Sequence, residues 1–157
     1  MTNKNKKKSQ WSKRFFQTLI GVWNCWSLSN ERYDYWKELQ YDILALTELH
    51  DAQAKTQYQG RRWVSSAPST EDEEGKNSNP AADVAILLSE KMEDKIIDSG
   101  HVDTRIAWVR IAGPVCNIYF IVTYVPHKGR TKPSAKDTIK QLKELLKTIK
   151  KSECVVL

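Results

Sequence analysis

"DILALTELH", residues 42–50, is the stretch that decides how this chain is read. The apolar run Ile43–Leu44–Ala45–Leu46 reads as a buried strand over 42–48, and it ends on a carboxylate, Glu48. A charge on the last residue of a buried strand is either incidental, at a solvent-facing end, or held rigidly where a charge is needed.

Upstream, "TLIGVWN" (18–24) is rich in strand formers and predicts a strand ending at Asn24. "SLSNERYDYWKEL" then predicts a short helix capped by Ser29 or Asn30, with Trp36 and Leu39 facing inward. Downstream, "RRWVSSA" (61–67) is a candidate third strand. "PSTEDEEGKNSNP", bracketed by Pro68 and Pro80, is a polar loop. Its carboxylates Glu71, Asp72, Glu73 and Glu74 read as a solvated face rather than a metal site.

"DVAILLS" (83–89) does not alternate and predicts a strand buried on both faces. "TRIAWVRIAG" (104–113) predicts a half-exposed strand with Ile106, Trp108 or Val109, and Ile111 inward. "PVCNIYFIVTYV" (114–125) is the longest strand candidate. Gly113–Pro114 between them predicts a tight turn and an antiparallel hairpin. "SAKDTIKQLKELLKTIKK" (134–151) is a helix with a stripe of Ile139, Leu142, Leu145, Leu146 and Ile149. Ser134 and Asp137 have capping-box spacing, and the lysines form a solvated opposite face. "ECVVL" (153–157) begins a further strand in which the chain stops, so a truncation is expected.

At 157 residues the chain suits one domain, expected over 18–157 behind a basic tail at 1–17. Hydrophobic residues at 40%, with six Trp and six Tyr, support a packed core and argue against a disordered chain. The net charge of +6 fits a polyanionic partner, and plain solubility explains it as well. Cys25, Cys116 and Cys154 are odd in number and far apart in sequence, with no C-x-x-C pair. Neither a zinc ribbon nor a disulfide framework is expected, and a reducing, intracellular setting is the simple reading. Lys6, Lys7 and Lys8 read as a solvated terminus, with nuclear import or nucleic-acid tethering as the alternative. No secretory signal and no apolar run of membrane-spanning length occurs.

Several chemistries lack an anchor. There is no G-x-S-x-G elbow, no G-x-x-x-x-G-K-[ST] and no G-x-G-x-x-G. His50, His101 and His127 are too widely spaced for a local metal motif, and Cys25 reads as a small core hydrophobe. What remains is Asn24, Glu48 and Tyr124, each at the C-terminal end of an apolar run. Strand ends place functional groups more rigidly than loops do.

In order, "VWNCWSLSN", "YDILALTELH", "DVAILLS", "TRIAWVRI", "IYFIVTYVPH", a helix and "CVVL" resemble the endonuclease/exonuclease/phosphatase superfamily. The likeness is to endonuclease domains of non-LTR retrotransposons and to the craniofacial development protein 2-like group. It implies the DNase I-like α/β layered sandwich: two β-sheets face to face with outer helices, here incomplete at the C-terminus. It implies Asn24 as the asparagine of the family's "W-N" motif and Glu48 as its metal-ligating glutamate after an apolar strand. Tyr124 falls in its "Y-x-P" motif, near the scissile phosphate. Arg105 stands where the family often has Gly-Arg, with Thr104 replacing the Gly, and Ala82–Asp83 depart from its glycine before the central strand. The family's "G-D-F-N" and later Asp-His motifs do not occur in these 157 residues, and His127 is not a substitute for that His.

The resemblance therefore implies an Mg²⁺- or Mn²⁺-dependent phosphodiesterase of endonuclease type, with DNA as partner and no membrane. A hard divalent ion takes oxygen ligands and tolerates few protein contacts, which suits one carboxylate at a strand end. Asn24 and Tyr124 can donate to phosphate oxygens without adding negative charge. Arg105, Lys128 and Arg130, with Arg61, Arg62 and Lys132 near the expected mouth, are candidate substrate contacts. Each residue has a plainer reading: Asn24 as a turn residue, Glu48 as a helix N-terminal charge beside His50 and Asp51, Tyr124 as a core aromatic. A catalytically inactive nucleic-acid-binding remnant and a phosphatase-type member of the superfamily are the alternative functions.

Overall fold

The computed structural model describes residues 17–25, 40–51, 57–58, 61–65, 82–126 and 134–157, with backbone alone at 50–51, 57–58 and 82–83. The expected helix after Asn24, with Ser29, Asn30, Trp36 and Leu39, and the acidic loop at 68–80 lie outside the described residues.

Nine strands form two mixed sheets among the described residues. Sheet A has the order β1 (Ile20–Asn24), β2 (Ile43–Asp51), β5 (Ala82–Leu88), β4 (Arg61–Ser65), β3 (Gln57–Tyr58). Sheet B has the order β6 (Ile96–Val102), β7 (Ile106–Ile111), β8 (Ile118–Thr123), β9 (Cys154–Val156). β1 runs parallel to β2 and β9 parallel to β8, and every other pairing is antiparallel. Helix α1 (Glu90–Glu93) carries the chain from β5 of sheet A to β6 of sheet B, and a 3₁₀ turn, Asp103–Arg105, joins β6 to β7 within sheet B. Helix α2 (Ala135–Thr148) precedes β9.

The core follows from strand alternation. Ile43 on β2 and Val84, Ile86 and Leu88 on β5 face Ala107, Val109, Ile111, Phe120 and Val122 of sheet B. Leu44, Leu46, Ala85, Leu87 and Trp63 point to the other face of sheet A, where a second apolar cluster forms with Cys25. β5 is thus buried on both faces, as its unbroken apolar run predicts. Each such Val, Ile or Leu contributes roughly 1.5–3 kcal/mol.

Several boundaries move. The 104–113 stretch is a 3₁₀ turn followed by β7, and it is more buried than expected: Ile106, Ala107, Val109 and Ile111 are 0% exposed. Ala107, Val109 and Ile111 face the inter-sheet core, while Trp108 turns outward against Tyr119 at 5.6 Å. The β7–β8 hairpin forms as predicted, but its turn covers 112–117, so β8 is shorter than β2. In α2 the capping box is present, with the Asp137 N–H donating to Ser134 Oγ and the Ser134 N–H donating to the Asp137 carboxylate. Its inner stripe runs through Thr138, Leu142, Leu145, Leu146 and Ile149. Ile139 falls outside it at 42% exposure. β6 and α1 carry no clear periodic signal and are additions to the expected order of elements.

Candidate functional site

β1 and β2 are in register as Val22–Ala45, Trp23–Leu46 and Asn24–Thr47. The Cys25 N–H donates to the Thr47 carbonyl at 2.8 Å, extending the ladder one residue past Asn24. Because the two strands are parallel, their C-terminal ends coincide, and Asn24 sits beside Thr47 with Glu48 next along the chain. Asn24 is exposed and Glu48 half-buried.

Glu48 is not the last residue of β2, which continues to Asp51. It marks a bulge. Thr47 pairs with Val84 and Asp51 with Ala82, so β2 spends 48–50 where β5 spends only residue 83. Glu48 carries a φ of 55° there, in the left-handed region. In unbroken alternation Glu48 would share a face with Leu44 and Leu46, inside an apolar cluster. The bulge shifts the phase, and Leu49, 0% exposed, joins Leu44 and Leu46 instead. The carboxylate is turned out of the core at an expected backbone cost of about 1–2 kcal/mol. This strand setting replaces the reading of Glu48 as a helix N-terminal charge. Among the described residues, none pairs with its carboxylate.

Tyr124 follows β8 directly. Its N–H donates to the Arg105 carbonyl at 3.0 Å, and its side chain packs against the inter-sheet core. Arg105 is only 5% exposed, held in the 3₁₀ turn. Asp103, which opens that turn, is the other non-glycine residue with positive φ, at 63°. Its carboxylate accepts from the Thr104 N–H.

The topology brings these pieces to one end of the sandwich. α1 follows the C-terminal end of β5 and hands the chain to β6, which runs back the length of the sheet to the 3₁₀ turn. That turn contacts β5. Thr47 and Thr123, the residues before Glu48 and Tyr124, line one cavity of about 210 Å³ between the sheets. Asn24, Glu48, Arg105 and Tyr124 therefore approach the same end of the fold on four different segments.

Arg61 and Arg62 do not. Arg62 pairs with Leu88 at the C-terminal end of β5, far from the mouth where they were expected. Arg61 lines an open cleft at that opposite end with Tyr41, Asp42, Ser89 and Lys91. Asp42 organises it, accepting the Leu19 N–H at 3.0 Å and contacting Lys91 Nζ at 3.2 Å. Burial pushes the Asp42 carboxyl up, but these partners and Ser89 more than offset that, and it lies below its ordinary value of 3.8. Lys128, Arg130, Lys132 and His127 lie outside the described residues.

Among the described residues no three His, Cys, Asp or Glu side chains cluster as ligands for a metal ion, and no helix is long and apolar enough to cross a membrane. What the sequence did not reveal at this end is Asp103 and the bulge, since neither left-handed position carries the glycine that signals one.

The layered arrangement is found again in known structures. The chain is similar to the endonuclease domain of TRAS1, a telomere-specific non-LTR retrotransposon, with a TM-score of 0.54 and 13% identity over 85% of this chain and 57% of that one. It is also similar to a humanized D. rerio TDP2, with a TM-score of 0.50 and 15% identity over 85% of this chain and 58% of that one. The chain thus spans less than two thirds of either structure. No family model matches, and no curated protein matches. The fold is the DNase I-like α/β sandwich that the sequence resemblance implies.

Proposed function

We propose that this chain carries the phosphate-gripping part of a divalent-metal-dependent phosphodiesterase site of endonuclease type, acting on DNA and of retrotransposon origin. The observation that carries the reading is the pairing of Asn24 with Thr47, which sets an exposed amide beside a strained, outward-turned Glu48. Strained non-glycine positions collect where a side chain must be held for use.

The residues fit a hard cation such as Mg²⁺ or Mn²⁺. Such an ion keeps several waters and takes one or two carboxylates together with substrate phosphate oxygens. Glu48 offers one carboxylate, half-exposed, on a rigid strand. When bound, the ion offsets the negative charge that builds on the phosphate oxygens during cleavage.

The remaining work falls to the chain's own groups. The Asn24 amide donates an N–H to a phosphate oxygen and brings no repelling charge. The Tyr124 hydroxyl donates to the phosphate from the sheet B side. The Arg105 guanidinium, held in its turn, adds positive field behind the site, while Lys128 and Arg130 engage neighbouring backbone phosphates. A base for the attacking water is assigned by the resemblance to an Asp-His pair that these 157 residues lack. The lack of that Asp-His pair in these 157 residues favours a second reading of the isolated chain: it binds metal and DNA without cutting.

Manganese titration followed by electron paramagnetic resonance tests the proposal. One saturable site is expected in the native chain and none in Glu48→Gln; equal binding by both overturns it. Fluorescence anisotropy with a labelled duplex should show binding that weakens with salt and weakens further in Asn24→Ala. Plasmid nicking separates the two readings: metal-dependent nicking lost in Glu48→Gln favours the enzyme, and its absence favours the binding remnant.

A further inference from the structure

Three cysteines far apart in sequence suggested no pairing, yet the fold brings two of them together. Cys116 Sγ and Cys154 Sγ lie 2.9 Å apart across a sequence separation of 38. Cys116 is half-buried in the β7–β8 turn, and Cys154 is the exposed first residue of β9. We infer that Cys116 and Cys154 form a reversible thiol–disulfide pair that fastens β9 to sheet B.

The backbone already holds the frame. The Cys154 N–H donates to the Asn117 carbonyl at 2.9 Å, and Cys154 is in register with Ile118. Glu153 is clamped next door by Arg110 and by Asn117 Nδ2, the latter at 3.1 Å. Closing a disulfide of about 2.05 Å from this contact needs only a small side-chain rotation. β9 needs the help. It has three paired residues, and Cys154, Val155 and Val156 are all exposed. The bridge would close a loop that contains β8, Tyr124 and α2, so oxidation would tie down the segment that delivers Tyr124.

The oxidant is a small-molecule disulfide. The thiolate of one cysteine attacks it, breaks its sulfur–sulfur bond and releases one small thiol, leaving a mixed disulfide on the protein. The thiolate of the second cysteine attacks the protein sulfur of that mixed disulfide and displaces the second small thiol. Two protons and two electrons leave the protein sulfurs and appear on the two released thiols. The shared hydrogen bond holds the Cys154 thiol above its ordinary value of 9.0, which lowers its thiolate fraction at neutral pH and slows its attack on such an oxidant. Cys25 is 0% exposed in sheet A's outer cluster and serves as an internal control.

The test treats the full chain with oxidised glutathione, blocks remaining thiols with iodoacetamide, and maps the peptides by mass spectrometry. A Cys116–Cys154 bridge is expected, lighter by two hydrogens than the dithiol, reversed by dithiothreitol, with Cys25 untouched. Hydrogen exchange at the Val155 and Val156 amides should slow by about tenfold on oxidation. Cys154→Ser should take one glutathione on Cys116 and show no change in β9 exchange with oxidant. Glutathione on each cysteine separately, or bridges only between chains, overturns the pairing. A bridge that leaves β9 exchange unchanged overturns its role as a clamp.

Discussion

Asn24 stands beside Thr47 in the parallel ladder of β1 and β2, one residue from Glu48. Only parallel strands end side by side in the same sense, so bringing these two strand-end side chains together depends on this register rather than on either strand alone. The bulge completes the arrangement: it moves Glu48 off the face of Leu44 and Leu46 and gives that place to Leu49. Local backbone stability is given up for the direction of one carboxylate.

That trade has a measurable sign. Glu48→Gly should stabilise the fold by about 0.5–1 kcal/mol, because glycine removes the left-handed penalty and returns part of it as unfolded-state entropy. Glu48→Val should destabilise by about 1 kcal/mol or more, since a β-branched residue resists positive φ. Urea denaturation checks both. A Glu48→Gly variant less stable than the native chain would mean that the carboxylate itself supports the fold.

Asp42 supplies a pH dependence. Its folded value lies below 3.8, because the Leu19 N–H, Lys91 and Ser89 outweigh the burial that pushes it up. A depressed folded value means that the stabilisation is present at neutral pH and is lost as pH falls through the acid range. Thermal melts should therefore fall steeply below about pH 4. Asp42→Ala should cost about 2 kcal/mol at pH 7 and flatten that acid limb, since the Leu19 N–H loses its acceptor. Lys91→Ala should cost under about 1 kcal/mol, because the lysine side chain is 60% exposed and screened by water.

The signals that survived from sequence to structure are local ones. The doubly buried β5, the β7–β8 hairpin and the Ser134–Asp137 capping box each depend on residues within a few positions of one another. Position relative to distant strands was not legible. Arg61 and Arg62 looked close to the expected mouth, but an antiparallel pairing with the far end of β5 removes them. β6 was missed because "IIDSGHV" has only Ile96 and Ile97 as an apolar start before polar residues, as suits a strand at the edge of a sheet. The cysteine contact arises from the parallel addition of β9 to β8, which no spacing rule contains. At the candidate site, the strand ends at Asn24 and before Tyr124 were readable, and the bulge that turns Glu48 was not.

Gly113 is where the hairpin turn tolerates no side chain. A Cβ there would meet the Cys116 carbonyl oxygen at 2.3 Å, a contact with backbone that no rotamer change relieves. Gly113→Ala should destabilise by about 1–3 kcal/mol. It should also shift Cys116 and so lower the yield of the Cys116–Cys154 bridge. Chemical denaturation and bridge yield should change together. An alanine variant of native stability would show that the turn relaxes freely.

Among the described residues, β1 and β9 form edges of the two sheets on the same side of the sandwich. Ile20, Val22, Val156 and Leu157 line the inter-sheet cavity there, and Val22 is 74% exposed and Leu157 67%. Sheet edges left unpaired among the described residues, flanking exposed apolar side chains, are a template for association between chains. Sedimentation velocity of the isolated chain should show self-association that grows with concentration. Val22→Lys places a charge on the β1 edge at a position already open to water, so its folding cost should stay within about 0.5 kcal/mol. The same variant should shift the sedimentation profile toward monomer, with an unchanged circular dichroism spectrum. Persistence of the associated species in Val22→Lys would locate the contact on another face.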